Sequence, residues 1–241
     1  MRTRWVVPVL CILTLIGCGR YFAGPLRPVE HQESYMTVND DGSVSYARGR
    51  LEVTLRPLSD EQLNRQFAAH SSQGGQSTNP YTYGDWKPLG DTWTPPRFTV
   101  FWLKVKNYAY PKMQVDPYKA VLTSTNRRRY RTLRFSELSD YYQAFALGQA
   151  GNAWARLEER RDLLKKTMYA GDILFSGQED EGYLIFPELD YDVKEISVTL
   201  RDIALGLDYE NRPLKTMDLT FYFHREVYRG YHPPPLLTKK K

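Results

Sequence analysis

Acidic side chains gather at two places where they could act as acid–base catalysts or bind a hard cation. One is the run Glu179-Asp180-Glu181, and the other consists of Glu188, Asp190 and Asp192. Oxygen-rich loops suit calcium, and a pair of carboxylates is what a glycosidase uses. The segment around Asp190 and Asp192 lacks the further ligands and the turn glycine of a calcium loop. The sequence therefore favours two solvated turns over a cation site or a glycosidase pair.

The remaining chemistry-bearing residues form no recognisable catalytic, metal or cofactor motif. No pair of histidines has a spacing typical of metal ligands, and no cysteine can join them. The sequence contains no G-x-S-x-G elbow, no P-loop and no G-x-G-x-x-G loop. We therefore expect no catalytic residue, no metal, no cofactor and no small-molecule substrate. The histidines are His31, His70, His224 and His232.

Four aromatic residues interrupt a long polar stretch that extends from residue 68 to residue 96. They are Tyr81, Tyr83, Trp86 and Trp93, all within residues 79–96. A loop of this length inside a domain is usually functional or disordered. Its aromatic side chains could stack on sugars or insert into a protein partner. They could equally hold the loop against its own domain, and both interpretations stay open at this point.

The densest basic run lies at a predicted β-hairpin and could form a patch for anionic head groups. Such a patch could bind phosphate-bearing polymers or lipid head groups. The alternative is a charged edge strand, because charge at an edge prevents sheets from pairing with one another. The run contains Arg127, Arg128, Arg129 and Arg131.

The net charge of +5 comes from the two ends of the chain. Arg2 and Arg4 lie in a segment that we expect to be removed, and Lys239, Lys240 and Lys241 form the tail. The chain between them carries as many basic as acidic residues. A global charge argument for nucleic-acid binding therefore fails, and we expect no nucleic-acid partner.

The N-terminus has the order of features that marks an export signal. Arg2 and Arg4 precede an apolar run over residues 5–16. A run of that length is too short for a membrane helix, which needs about 20 residues. A positive region, a short apolar region and the small residue Gly17 are typical of a cleaved signal peptide over residues 1–17.

The end of this signal, Leu15-Ile16-Gly17-Cys18, resembles the lipobox of bacterial lipoproteins. The resemblance implies cleavage between Gly17 and Cys18, acylation of the Cys18 thiol, and export across the inner membrane. Acyl chains would then hold the protein on a bilayer without a spanning helix. Gly19 follows the cysteine in place of an aspartate, which by the family's usual sorting rule favours the outer membrane. Since Cys11 leaves with the signal, the mature protein would have no free thiol and no disulfide.

The rest of the chain is predicted to be mainly β. Residues 18–42 are interpreted as the lipidated N-terminus and a flexible tether, because they contain prolines and little periodicity. Residues 43–228 are interpreted as a single domain, since short alternating segments such as Leu51, Val53 and Leu55 recur along it. Residues 229–241 are predicted to be a Pro-rich basic tail.

Two helical segments interrupt the strands of this domain at about residues 135–168. The first is predicted over residues 135–147, and the second over residues 152–168. In the second, the arginines and lysines lie on the faces away from an apolar stripe, which contains Trp154, Leu157, Leu164 and Met168.

Part of this domain is similar to uncharacterised bacterial Ig-like lipoprotein domains. The similarity extends over about residues 97–226 and rests on Lys106-Asn107, Asp116-Pro117, the strand at Tyr130 and Gly182-Tyr-Leu-Ile-Phe-Pro187. It implies an antiparallel two-sheet Ig-like sandwich, here with an inserted pair of helices.

These features together predict a lipid-anchored, non-catalytic protein of the bacterial cell envelope. We expect it on the outer membrane, where it would work as a protein-interaction or structural module with an envelope protein partner. The rival is an envelope enzyme or glycan-binding protein that uses the aromatic loop 79–96 and the acidic turns. A third possibility, a small apolar ligand between the sheets, would require a deep cavity.

Overall fold

The fold is mainly β, and the two longest helices lie in the second half of the chain. The computed structural model describes residues 19–148 and 153–238. The strands are β1 Arg20–Ala23, β2 Arg27–Pro28, β3 Met36–Val38, β4 Val44–Arg48, β5 Leu51–Leu58, β6 Phe98–Asn107, β7 Lys112–Met113, β8 Ala120–Ser124, β9 Arg129–Arg131, β10 Leu174–Phe175, β11 Glu179–Pro187, β12 Glu195–Leu207, β13 Pro213–His224 and β14 Val227–Gly230. The helices are α1 Asp60–Gln66, α2 Ala68–Ser71, α3 Phe135–Leu147, α4 Ala153–Thr167 and α5 Pro235–Thr238.

The strands form two five-stranded antiparallel sheets and two short ribbons. The first sheet has the order β11-β6-β5-β4-β3, and the second has the order β2-β13-β12-β8-β9. The ribbons pair β1 with β14 and β7 with β10. Each sheet contributes its buried side chains to one shared core, for example Leu103 from the first sheet and Val198 from the second.

Part of the first sheet is covered on both faces, because the helices pack there on the side that faces away from the shared core. In β6, Phe101 and Leu103 lie in the shared core, whereas Val100 belongs to a second core with Leu138 and Leu157 of the helices. Successive strand residues point to opposite faces, so a strand that is buried on both sides is apolar at consecutive positions. This explains why β6 is apolar at consecutive positions from Val100 to Leu103.

The apolar face of α4 differs from the predicted one. The buried positions are Ala153, Leu157, Arg160 and Leu164, which lie on one side of the helix. Trp154, which we had expected to belong to the apolar stripe, is 57% exposed because it lies off this face. The helix thus buries an arginine and exposes a tryptophan, the reverse of what the side-chain types indicate.

The predicted flexible tether over residues 18–42 is wrong for its described part, residues 19–42. These residues form β1, β2 and β3, which pair with β14, β13 and β4 respectively. The side chain of Gln32 binds the backbone of Tyr222 in both directions, at 2.7 Å and 2.9 Å. The short strands escaped detection because each is only two to four residues long, too short for an alternating pattern to stand out.

The predicted C-terminal tail, residues 229–241, also begins inside the fold. Arg229 and Gly230 belong to β14, and α5 follows at Pro235–Thr238. Leu237 of α5 lies near Gly24, immediately after β1. The N-terminal and C-terminal segments therefore meet at one end of the molecule.

Gly182 joins the helices to the first sheet by permitting a close backbone contact. A Cβ atom at this position would lie 2.5 Å from both the Cα and the N of Tyr169, the segment that follows α4. Tyr169 donates a backbone hydrogen bond to the carbonyl of Tyr183 at 3.1 Å. Only a residue without a side chain lets these two backbones approach so closely.

We predict that Gly182→Ala destabilises the protein by at least about 2 kcal/mol, because backbone atoms cannot move aside cheaply. The control is Gly206→Ala, where the nearest atom to a new Cβ is 3.9 Å away. Urea denaturation of both variants measures the difference. Equal midpoints for the two variants would contradict the close contact at Gly182.

Candidate functional site

The candidate site is the surface at the end of the sheets where β1 pairs with β14, which we call the ribbon end. In this ribbon Arg20 lies opposite Gly230 and Ala23 lies opposite Val227. Phe22 is fully buried, and its side chain fixes the ribbon to the body of the protein. The ribbon end therefore holds both the first and the last strand of the chain.

The aromatic loop 79–96 packs directly on this ribbon. Arg20 forms a salt bridge with Asp91 at 2.7 Å between Nη1 and Oδ2. Trp93 meets Phe22 edge to face, with the ring centroids 5.2 Å apart. A salt bridge and an aromatic contact thus attach the loop to β1, although about 70 residues separate the loop from β1 in the sequence.

The four predicted contact residues of this loop do not form one exposed platform. Tyr81 is fully buried in the helical core, where its hydroxyl contacts that of Thr167, so it is unavailable to a partner. Trp93 is half-buried against Phe22. Tyr83 is half-buried beside Trp86, which is 39% exposed. Only Trp86 of the four is presented to solvent.

The buried amide of Asn79 fixes the start of the loop. Its Nδ2 donates to Ser71 Oγ at 2.9 Å, and its Oδ1 accepts from the Tyr81 backbone at 2.9 Å. Asn79 has no solvent exposure, so loss of these bonds would leave buried polar groups unpaired. The loop is consequently part of the folded body at this point.

Two buried guanidinium groups hold the loop against α3 and α4. Arg97 donates to the hydroxyl of Tyr142 at 3.1 Å, and its guanidinium lies 4.1 Å from the centre of the Tyr83 ring. Arg160 donates to the Ser77 carbonyl at 2.5 Å and also stacks over Tyr142. Cation–π contacts of this kind are strongest when the cation is desolvated. No sequence signal identified either arginine, because their partners come from distant segments.

A carboxyl with an unusual pKa lies near the loop, at the start of α1. Ser59 caps this helix in a capping box with Gln62. Burial raises the pKa of Asp60 to about 7, the positive charge of Arg97 opposes this shift, and the charge of Glu188 adds to it. Burial also raises the pKa of Glu188. Asp60 and Glu188 thus influence each other, and both carboxyls ionise at a higher pH than a free carboxyl does. No pattern in the sequence singled out Asp60.

The predicted basic patch is partly neutralised. Arg128 bridges Asp190 at 2.9 Å and Asp192 at 2.7 Å, and Arg131 forms an ion pair with Glu137. The structure therefore joins two predicted sites, the basic run and the second acidic group, into one surface network. Arg127 and Arg129 are exposed and form no salt bridge within the parts of the chain that the structure describes.

The first acidic group is not a turn. Glu179, Asp180 and Glu181 lie in β11, opposite Lys106 to Lys104 of β6. Lys104 bridges Glu179 at 2.8 Å and Glu181 at 3.5 Å. Cross-strand pairs of opposite charge explain this acidic run, so the predicted solvated turn at these residues is wrong.

The sequence also led to expectations about lipidation, metal binding and membrane-spanning helices. Gly17 and Cys18, the predicted cleavage and lipidation site, lie outside the described residues. Among residues 19–148 and 153–238, no three His, Cys, Asp or Glu side chains are arranged to hold a metal ion. Within the same ranges, no helix has the length and apolar character needed to cross a membrane.

Several exposed apolar and aromatic side chains lie at the ribbon end. Leu89 at the tip of the loop is fully exposed, at 107% of its reference area. It lies in a turn closed by a 3.0 Å bond from the Asp91 backbone N–H to the Pro88 carbonyl. Tyr21 of β1 is 40% exposed and Tyr231, directly after β14, is 69% exposed. Exposed apolar side chains gathered in one region commonly mark an interaction surface.

We predict that Trp93→Ala lowers the free energy of unfolding by about 2 kcal/mol, since a half-buried indole and its ring contact are lost. Trp86→Ala is the matched control and should cost less than about 1 kcal/mol, because that side chain is largely at the surface. Urea denaturation measures both values. A larger loss for Trp86→Ala would contradict the described packing of the loop.

A second prediction concerns the pH dependence of stability. An aspartate ionises near pH 4 in the unfolded chain, whereas Asp60 ionises near 7 in the folded protein. Between these values the folded state keeps a proton that the unfolded state has lost, so stability falls as the pH rises from 4 to 7. We expect Asp60→Asn to remove this loss and to stabilise the protein at pH 8 by about 4 kcal/mol relative to its effect at pH 4, because each pKa unit corresponds to about 1.4 kcal/mol.

Glu61→Gln is the control for Asp60→Asn, because Glu61 is the exposed neighbour on the same helix turn. Thermal or urea unfolding of the three proteins at pH 4 and pH 8 provides the comparison. If Asp60→Asn and Glu61→Gln changed the pH dependence equally, the raised pKa of Asp60 would be refuted.

Comparison of the chain with models of known protein families and with curated proteins finds no match. Among solved structures, the chain is similar to MPT63, a secreted protein from Mycobacterium tuberculosis. The two are 9% identical with a TM-score of 0.31, and the match covers 68% of this chain and 90% of MPT63. A likeness of this size carries no conclusion about the function of the present chain.

Proposed function

We propose that the protein is a lipid-anchored, non-catalytic envelope protein that works as a protein-interaction or structural module, with its folded body directly on the bilayer. The observation that carries this proposal is that β1 begins at Arg20, two residues after Cys18. If Cys18 is acylated, as the lipobox resemblance implies, almost no free chain separates the acyl groups from the fold.

The length of the chain limits how far the body can lie from the membrane. Two residues extend over at most about 7 Å, even when fully extended. Gly19 lies against Arg229, because a Cβ atom on it would be 3.3 Å from Cγ of that residue. An anchor at Cys18 would therefore bring the ribbon end into contact with the lipid head groups.

The chemistry of the ribbon end suits that position. Leu89, Trp86, Tyr21 and Tyr231 are exposed there, and aromatic side chains favour the boundary between hydrocarbon and water. Lys87 is exposed beside Leu89, and the three lysines at the end of the chain follow α5, which lies near β1. Basic side chains near an anionic leaflet each contribute about 1 kcal/mol.

The opposite end of the molecule would then face away from the membrane and towards a partner. The β12–β13 hairpin turns there, between Leu207 and Pro213. It exposes Tyr209, at 88%, and Leu214, at 72%. A tyrosine and a leucine exposed together at a hairpin tip are suitable contacts for an envelope protein.

We further propose that the two five-stranded sheets form an Ig-like sandwich with the helices as an insertion. The shared core of the two sheets and the position of α3 and α4 between β9 and β10 support this assignment.

The rival function, a glycan-binding protein or an envelope enzyme, would depend on a few side chains. For a glycan, the exposed ring of Trp86 beside Tyr83 is the available stacking surface. For acid–base chemistry, Asp60 and Glu188 are the carboxyls with raised pKa values. Loss of muropeptide binding in Trp86→Ala, or of a hydrolase activity in Glu188→Gln, would favour this rival.

We predict that Cys18→Ser moves the protein from the membrane fraction to the soluble fraction, because the acyl chains provide the main membrane affinity. The control is Cys11→Ser, which leaves the lipobox cysteine in place. Fractionation of cells followed by immunoblotting measures the distribution. Unchanged membrane retention of Cys18→Ser would refute the lipid anchor. Crosslinking of intact envelopes that recovers only the monomer would instead count against the interaction module.

A further inference from the structure

A pocket of about 470 Å³ opens between the two sheets at the end of the molecule opposite the ribbon end. Its floor is apolar and consists of side chains from both sheets. Tyr46 and Leu51 come from the first sheet, and Leu205 and Met217 come from the second. The volume lies within the range of about 300–1,000 Å³ that small-molecule sites occupy.

The pocket opens at the part of the second sheet where the pairing of β12 with β13 becomes irregular. The two strands pair regularly up to Leu200 and Leu219, and the register then shifts before Ile203 and Met217 and again around Ala204. Asp202, at the first shift, has a positive φ of 52°. Bulges bend a strand and increase its twist. The pocket lies at this bent part of the second sheet, whereas the regular part packs closely on the first sheet.

The rim of the pocket carries three cationic side chains and no acidic one. Arg48 and Arg50 flank Gly49 in the turn between β4 and β5, and Lys215 comes from β13. The nine lining residues contain no Asp or Glu. None of the three cations has a salt bridge in residues 19–148 and 153–238, in contrast to Lys104 and Arg128 elsewhere on the sheets.

The two arginines are positioned by aromatic rings and not by acids. The guanidinium of Arg48 lies 4.5 Å from the centre of the Tyr35 ring, and that of Arg50 lies 5.9 Å from the centre of the Tyr110 ring. Tyr35 has a positive φ of 66°, an uncommon conformation for a residue with a side chain. Stacking leaves the N–H donors of a guanidinium available to an anionic ligand.

We infer that this pocket binds a small anionic amphiphile, with its apolar part between the sheets and its acidic head group at Arg48, Arg50 and Lys215. The combination of an apolar floor with unpaired cations at the mouth matches an apolar chain that ends in a carboxylate. A neutral ligand would leave the three cations unused, and a cationic one would be repelled. This inference is independent of the lipid anchor, because the pocket lies at the other end of the β12–β13 pair.

Photolabelling of the lipidated full-length protein with a diazirine-bearing fatty acid tests the inference. We expect labelled peptides that contain Leu51, Leu205 or Met217, identified by mass spectrometry. An excess of octanoate should suppress this labelling, whereas octan-1-ol and octylamine should suppress it much less. Labelling spread evenly over the surface, or equal suppression by the three competitors, would overturn the inference.

Two variants separate the apolar and the charged parts of the pocket. Met217→Trp should abolish labelling by filling the floor, and Lys215→Glu should weaken it by about tenfold through loss of a charge-assisted contact. Lys194→Glu is the matched control, since Lys194 is exposed and lies outside the pocket. Because Met217→Trp can perturb folding, circular dichroism accompanies it. Equal labelling of Lys215→Glu and Lys194→Glu would overturn the assigned head-group site. Cys18→Ser, which is expected to release the protein from the membrane, should by contrast leave the labelling of this pocket unchanged.

Discussion

The antiparallel pairing of β1 with β14 is the interaction on which the arrangement of the ribbon end depends. It places Phe22 in the interior, and the buried ring then provides the surface on which Trp93 packs. It also places Arg20 where it can bind Asp91 of the same loop. Without this ribbon, the long loop 79–96 would lose both of its attachments at this end. The start of the described chain would also no longer be fixed to the fold.

A second constraint is that the part of the first sheet around Val100 and Ile185 has no face in water. One side packs on the second sheet, and the other packs on α3, α4 and the loop segment before β6. Covering the outer face brings polar groups into the interior, and Arg97, Arg160 and Asn79 are the result. Arg97 and Arg160 bind partners from distant parts of the chain, and Asn79 binds groups nearby in the sequence, because burying a polar group without a partner is costly. The loop and the helices therefore stabilise each other.

The strands with clear alternation were predictable, and the features that depend on distant partners were not. Leu51, Val53 and Leu55 indicated β5, and the predicted bounds of α3 coincide with those of the structure. The strand β3 escaped prediction because it is only three residues long, and β1 and β2 escaped it because their pairing partners lie about 200 residues away. The same reason applies to Arg160, whose charge suggested the solvated face of α4. Similarly, the sequence favoured a solvated turn at Asp190 and gave no sign of its salt bridge with Arg128.

The central claim is that the ribbon end lies on the bilayer and the β12–β13 hairpin points away from it. Because the lipidated protein would have no free thiol, a single nitroxide label can be introduced at Leu89→Cys or at Tyr209→Cys. Both positions are highly exposed, and the 12 residues of β13 separate the two ends by roughly 40 Å. Power-saturation electron paramagnetic resonance in anionic lipid vesicles compares the access of oxygen and of a water-soluble nickel chelate. The account predicts a label at 89 that favours oxygen, as in the lipid interface, and a label at 209 that favours the nickel chelate. Equal, water-like access at both positions would contradict it.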